Sequence, residues 1–264
     1  MSLAARSTAT VTASQVLAAT PPANAARYAL LLTTDPDAVR AAQHLRYRVF
    51  ADELGAELST DEPGFDVDRF DAFCDHLIVR EEATGEVVGT YRMLPPERAR
   101  AAGALYVQRE FMIDDLAPLR RSLVETGRSC VHPDHRTGAV VGLVWAGIAR
   151  YMLLTDNRWL IGCASVPLND GGATAAGVWD RALDRHLSPE PFRVQPFVPW
   201  NPTGVTRPHK LLMPPLLQGY LRLGAWVCGP PAHDDAFGCA DFLVLLGLDH
   251  MDPRYVRFFL GGTP

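Results

Sequence analysis

Two hydrophobic periods alternate along this chain, and together they lay out its elements. Arg27–Thr33 is an apolar run of strand length, and Asp35-Pro36 then supplies a helix N-cap followed by proline at the first helical position. Val39, Ala42, Val49 and Phe50 continue at helical spacing to a stop at Leu54-Gly55. The acid-rich stretch Gly55–Phe73 carries Pro63-Gly64 and reads as a loop. His76–Arg80 and Glu86–Leu94 have strand character, and Thr84-Gly85 between them marks a hairpin. Pro95–Ala102 turns away as a short helix, whereas Val107–Leu119 shows no dominant period. A strand at Glu125–Val131, an apolar helix from Ala139 to Thr155 and a buried strand at Trp159–Ser165 follow. Asp170 caps a helix running to Arg185, Phe192–Pro208 is a proline-rich loop, and Pro214-Pro215 opens a helix ended by Gly224. Ala225–Cys228 and Asp241–Leu248 read as strands, and Pro253–Leu260 as a terminal helix. This order predicts a mixed α/β (α+β) fold: a central, mostly antiparallel sheet flanked by helices, with the last third packed against it as a C-terminal extension.

Composition narrows the picture. At 264 residues and 48% hydrophobic, the chain can bury a full core. Residues 1–26 are rich in Ala, Ser and Thr and are expected to form a disordered leader before a single domain spanning 27–264. A net charge of −5 argues against nucleic acid as a partner. Five cysteines, odd in number and without a C-x-x-C pair, fit a reduced, cytoplasmic setting. The longest uncharged run, Gly138 to Ala149, is far short of the roughly 20 residues that span a bilayer, which leaves peripheral contact with the inner membrane open.

The chemistry concentrates in Glu125–Met152. A strand there turns at Arg136-Thr137-Gly138 into an apolar helix, so free backbone N–H groups and the helix dipole converge on one point. Such a point suits a phosphate or pyrophosphate, the anionic end of a phosphopantetheine acyl donor. The Val131-x-Pro133-x-x-Arg136 stretch resembles the acyl-donor motif of the GNAT superfamily, although Ala139 and Val141 occupy the usual glycine places and Gly138 and Gly142 stand one residue off register. A longer pattern is similar to that of the acyl-homoserine-lactone synthases, GNAT-like enzymes fed by acyl carrier protein. It consists of Arg46-x-x-x-Phe50, Asp68-x-x-Asp71, His76–Val79, Gly89–Pro95 and Glu125-x-x-Arg128. The C-terminal third, with Pro214–Ala225, Asp234-x-x-Phe237 and Asp241-Phe242, is instead similar to the ornithine N-acyltransferases of ornithine-lipid synthesis.

The resemblance implies transfer of a (3-hydroxy)fatty acyl group from acyl carrier protein to the α-amino group of an amino acid, ornithine first, with no metal and no resident cofactor. It makes Glu125 a candidate base or amine ligand and Arg128 an organiser of acids or of the thioester carbonyl; a structural salt bridge is the alternative for this pair. In an ideal strand, residues three apart face opposite sides, so both reach one cleft only across a bulge. Asp68 and Asp71 offer carboxylates to an acceptor ammonium, or form a solvated acidic loop. Arg46 and Arg92 either hold those acids or bind the acceptor carboxylate, and Phe50 belongs to the same acceptor-binding set. Cys130, Val131, Arg136, Thr137, Gly138 and Ala139 form the donor-binding set, although Cys130 by itself reads as core packing. Arg207, His209, Lys210 and Arg222 beside the apolar Leu211–Leu217 suit an acidic carrier protein, anionic lipid headgroups or ordinary solvent. Two rival functions remain: acetyl-CoA-dependent N-acetylation of a small amine or protein, and a GNAT-like binding protein without catalysis.

Overall fold

A computed structural model describes residues 14–20, 26–251 and 254 of the chain. The elements in chain order are β1 (Gln15–Ala19), β2 (Tyr28–Thr33), α1 (Pro36–Tyr47), β3 (Asp75–Glu81), β4 (Val87–Leu94), α2 (Pro96–Ala102), β5 (Phe111–Met112) and β6 (Leu123–Val131). They continue as α3 (Gly138–Leu154), β7 (Trp159–Pro167), α4 (Ala173–Arg185), β8 (Gln195–Pro196), α5 (Pro215–Leu223), β9 (Trp226–Val227), β10 (Ala232–Asp234) and β11 (Cys239–Gly247). The main sheet runs β1-β2-β3-β4-β6-β7-β11-β10, with β9 paired to β11. Every neighbour in it is antiparallel except β6 and β7, which run parallel. This is the mixed, mostly antiparallel architecture that the hydrophobic pattern predicts.

Strand alternation distributes the side chains between two faces. Tyr91 and Met93 of β4 join Leu77 and Val79 of β3 in a core with Val140, Val144 and Ile148 of α3 and with Leu217 and Tyr220 of α5. Their strand neighbours Thr90, Arg92 and Leu94 point to the opposite face, where α1 packs. There Leu45, Val49, Phe50, Ala56 and Cys130 make a small apolar cluster. Polar chemistry accumulates on this second face because it is covered by loops and short turns of helix rather than by long apolar helices.

Local signals act where the sequence places them. The Asp35 side chain accepts from the Ala38 amide, with Pro36 opening α1. Gly224 ends α5 in the left-handed region at φ +97°. Other expectations need correction. Part of the supposed disordered leader, Gln15–Ala19, is the edge strand β1, paired to β2, while residues 1–13 lie outside the described residues. The Asp170 carboxylate accepts from the Thr174 amide, yet the N-cap position of α4 is Gly172. Val107–Leu119, which had no assignable period, is two 3-10 turns around the two-residue strand β5. The predicted terminal helix Pro253–Leu260 falls almost entirely outside the described residues.

Candidate active site

The bulge required for Glu125 and Arg128 to share a cleft is present in β6. Thr90 of β4 stands opposite Cys130 and Arg92 opposite Gly127, so the β6 segment carries one extra residue. Arg128 absorbs it with a φ of +53°, in the left-handed region that non-glycine residues seldom occupy. Glu125 and Arg128 both line a cavity of about 710 Å³. They do not pair with each other. The Glu125 carboxylate accepts from the backbone N–H groups of Tyr106 (2.7 Å) and Val107 (2.8 Å), clamping the turn after α2. Burial raises the Glu125 carboxyl above its usual range, against the opposing pull of those two amides and of the Arg92 charge.

Arg46, Arg92 and Arg128 meet Asp66, Asp68 and Asp71 in one buried network. Arg46 gives a bidentate contact to Asp71 at 2.9 and 2.8 Å, and its Nε donates to Asp66 at 2.8 Å. Arg92 donates to Asp68 at 2.7 Å and to Asp71 at 3.2 Å. Arg128 lies 3.0 Å from Asp66 and 3.5 Å from Asp68. Gln43 and the Asp68 amide also donate to Asp71. Burial alone would raise the Asp71 carboxyl, but hydrogen bonding and charge from Arg46, followed by Arg92, hold it well below the carboxylate range. The predicted acidic acceptor loop is therefore neither solvated nor free. Asp71 is saturated by protein donors, whereas the Asp68 Oδ2 meets Arg128 only at 3.5 Å and accepts no hydrogen bond among the described residues. Of their two expected roles, Arg46 and Arg92 have the geometry of holding acids. Arg92 and Arg128 both line the cavity, and the Arg128 guanidinium lies 4.8 Å from the Tyr106 ring and 5.6 Å from the Phe237 ring. Phe50 lines the same cavity and meets Phe237 edge to face at 5.8 Å.

Beyond Glu125 and Ile161, β6 and β7 part company. Their ladder joins only Leu123–Glu125 to Trp159–Ile161, although the strands run on to Val131 and Pro167. Gly162 sits at the fork, where a side-chain Cβ would come within 2.7 Å of the Thr126 carbonyl. Inside the fork the hydroxyl of Tyr91 meets those of Thr126 (2.9 Å) and Tyr220. At the far end of β6, Thr137, Gly138 and Ala139 begin α3, with Thr137 and Gly138 exposed. Two expected donor-binding residues are placed differently. The Arg136 guanidinium is a bidentate partner of Glu53 at 2.7 and 2.6 Å, and its Nε donates to the Val131 carbonyl. Cys130 is packed beneath α1, and burial pushes its thiol up to about 12.

Sequence reading missed the other wall of the cavity. Asp241 of β11 and Asp234 at the end of β10 both line it, and the Glu110 and Asp241 carboxyl oxygens lie within 4.8 Å of each other and of the Cys163 thiol. Burial, then the charge of the facing acid, raises Glu110, and burial raises Asp241, so the pair retains a proton that isolated carboxyls would have lost. The available signal was Asp241 itself, the one charged residue in the nine-residue strand CADFLVLLG. His132 and His135, the H-x-x-H pair of the turn, hydrogen-bond instead to Arg48 and Tyr28 at 3.0 Å each.

Comparison with known proteins fixes the lineage of this site. The chain is 34% identical over 244 residues to an L-ornithine N(alpha)-acyltransferase of Brucella abortus, a match covering 84% of this chain and 85% of that protein. It is 35% identical over 249 residues to the enzyme of that name from Rhodobacter capsulatus, covering 88% and 94%. The chain belongs to the L-ornithine N(alpha)-acyltransferase family. Residues 45–146, from Leu45 in α1 to the middle of α3, also match the Acetyltransferase (GNAT) domain. The fold of this family member is shared with a CoA-dependent acyl-homoserine lactone synthase, BjaI (TM-score 0.52, 15% identity, 86% of this chain and 83% of that one). It is shared too with FeeM, an N-acyl amino acid synthase from uncultured soil microbes (TM-score 0.51, 12% identity, 85% and 92%). Family membership makes the chain an acyltransferase enzyme, and the cavity between β6, β7 and β11 is its candidate active site.

Proposed function

We propose that this enzyme transfers a fatty acyl group, 3-hydroxylated as in ornithine-lipid synthesis, from acyl carrier protein to the α-amino group of ornithine. The observation that carries the reading is the open fork between β6 and β7 beside a cavity lined by Glu125 and by Asp241, with Glu110 behind Asp241. An extended pantetheine arm can lie in the fork as a surrogate strand, its amides meeting the unpaired edge of β6 and its phosphate facing the first turn of α3 at Gly138 and Ala139. The thioester carbonyl then reaches the bulge, whose backbone N–H groups are the donors proposed for the oxyanion. The neutral α-amine attacks the carbonyl carbon, the C–N bond forms, the C–S bond breaks, and the thiolate leaves on the carrier. Glu125 takes the proton the amine must shed, a role its burial-raised carboxyl suits. Arg128 faces the acceptor carboxylate. No metal or resident cofactor enters this scheme.

Ornithine differs from most amino acids by a second ammonium, and the Glu110–Asp241 pair supplies the matching group. A bound cation can replace the proton the two carboxyls share, which recovers their desolvation cost as an ion pair. Asp241→Asn is expected to lower kcat/KM for ornithine by about tenfold to hundredfold, the worth of one charge-assisted hydrogen bond. Turnover of norvaline, which lacks the distal amine, should stay level in the same variant. An equal loss with both acceptors would remove the distal ammonium from this wall.

The donor is tested separately. CoA carries an adenosine diphosphate moiety that a carrier-bound arm lacks, and its pyrophosphate seeks a free cation at the turn. Arg136, ion-paired with Glu53, is already engaged there. Purified enzyme should therefore use long-chain acyl carrier protein much faster than acetyl-CoA in a direct rate comparison. Equal or better rates with acetyl-CoA would move the chain to the N-acetyltransferase reading.

A further inference from the structure

The groove between α4 and α5 binds no substrate in the scheme above, yet it is built with care. Arg181 and Arg185 of α4, His186, and Arg222 of α5 surround a cavity of about 640 Å³ floored by Leu211, Met213 and Leu221. Arg185 is neutralised by Asp184 at 2.8 Å, and Arg207, the first basic residue of the sequence cluster nearby, by Asp180 at 2.8 Å. Arg181 and Arg222 are exposed and have no counter-ion among the described residues, and the same holds for Lys210. Between the groove-lining Leu211 and Met213, Leu212 is 72% exposed.

We infer that this face docks on an anionic phospholipid surface, with headgroups in the groove against Arg181 and Arg222, and Leu212 inserted at the acyl boundary. Unpaired guanidinium groups on a chain of net charge −5 mark a local attraction for anions that opposes the field of the whole molecule. The exposed Leu212 at the groove selects a bilayer over a water-soluble acidic partner. Basic residues flanking exposed apolar side chains are the pattern of interfacial binding, in which each contribution is modest and both are needed. Helix α5 also connects the groove to the chemistry. Leu216 in its first turn lines the catalytic cavity, while Gln218, Leu221 and Arg222 line the groove. On the acyltransferase reading, the product is an amphiphile that must leave the cavity for a membrane, and this face would deliver it there.

Co-sedimentation of the full-length enzyme with sucrose-loaded vesicles tests the surface without requiring turnover. Phosphatidylcholine vesicles doped with phosphatidylglycerol should carry the protein down, vesicles of phosphatidylcholine alone should not, and added salt should release it. The Arg181→Gln, Arg222→Gln double variant should lose about 30-fold in partitioning, at roughly one tenfold or less per basic residue near a charged surface. Leu212→Ser, at a site too exposed to affect folding, should lose roughly tenfold. Absence of sedimentation, indifference to phosphatidylglycerol, or unchanged binding of both variants would overturn the proposal. A double variant that sediments normally but loses turnover with a soluble acyl carrier protein would overturn it as well, and would assign the groove to the carrier.

Discussion

Asp71→Asn should yield a protein destabilised by about 3–5 kcal/mol, because it leaves Arg46 buried without its principal counter-charge. Arg46 is wholly buried, and its guanidinium makes two contacts to Asp71 against one to the Asp66 carboxylate. The amide keeps one acceptor oxygen but turns an NH2 group toward an Arg46 donor together with either the Arg92 or the Gln43 donor. For a chain of this size the loss corresponds to a fall in melting temperature of roughly 6–20 °C. Thermal and urea melts measure it. The sign of the pH dependence follows from the depressed Asp71 carboxyl. Its contribution is fully present above the ordinary Asp range and is lost as pH falls through the lower folded value, so wild type should lose its advantage over the variant in acid. A variant that melts normally but fails to use the acceptor would instead make Asp71 a direct ligand.

Glu125→Gln should cut kcat by about 10²–10⁴-fold, the usual contribution of a positioned base. The deficit should shrink as pH rises toward the pKa of the acceptor amine, because free amine then becomes available without enzymatic help. The clamp on Tyr106 and Val107 adds a second consequence. A carboxylate satisfies both backbone N–H groups, whereas the glutamine amide has a single oxygen and must turn its NH2 toward the other donor. A stability loss of about 1–3 kcal/mol is therefore expected alongside the rate loss. The two effects separate when turnover is expressed per folded molecule across a pH series. A uniform deficit at every pH, explained by the unfolded fraction, would leave Glu125 as a clamp and give the proton to solvent. In wild type the burial-raised carboxyl sets the acidic limb: activity should fall as pH drops through a value above the ordinary Glu range.

Much of this molecule is written in local periodicity. Strands such as Tyr28–Thr33 and Trp159–Pro167 and helix α3 are apolar runs bounded by caps and turn residues, and their positions follow from burial and backbone geometry alone. The meeting of Glu125 and Arg128 in one cleft was half legible: their spacing is wrong for an unbroken strand, so a shared cleft required a bulge, and the chain places one there. What local sequence could not supply was partnership across distance. Asp68 and Asp71 look the same on paper whether they await an ammonium or are held by arginines. Only the approach of α1 to β4 and β6 brings three guanidinium groups onto them, and it holds Asp71 by protein donors while leaving one Asp68 oxygen without a hydrogen bond. Arg136 likewise looked free for a phosphate until Glu53, 83 positions earlier, was placed against it. Glu110 and Asp241 lie 131 residues apart by their numbers and become one proton-sharing pair because β11 inserts beside β7. A side chain's type is set by the sequence, but its charge state and its availability depend on what the fold brings within a few ångströms of it.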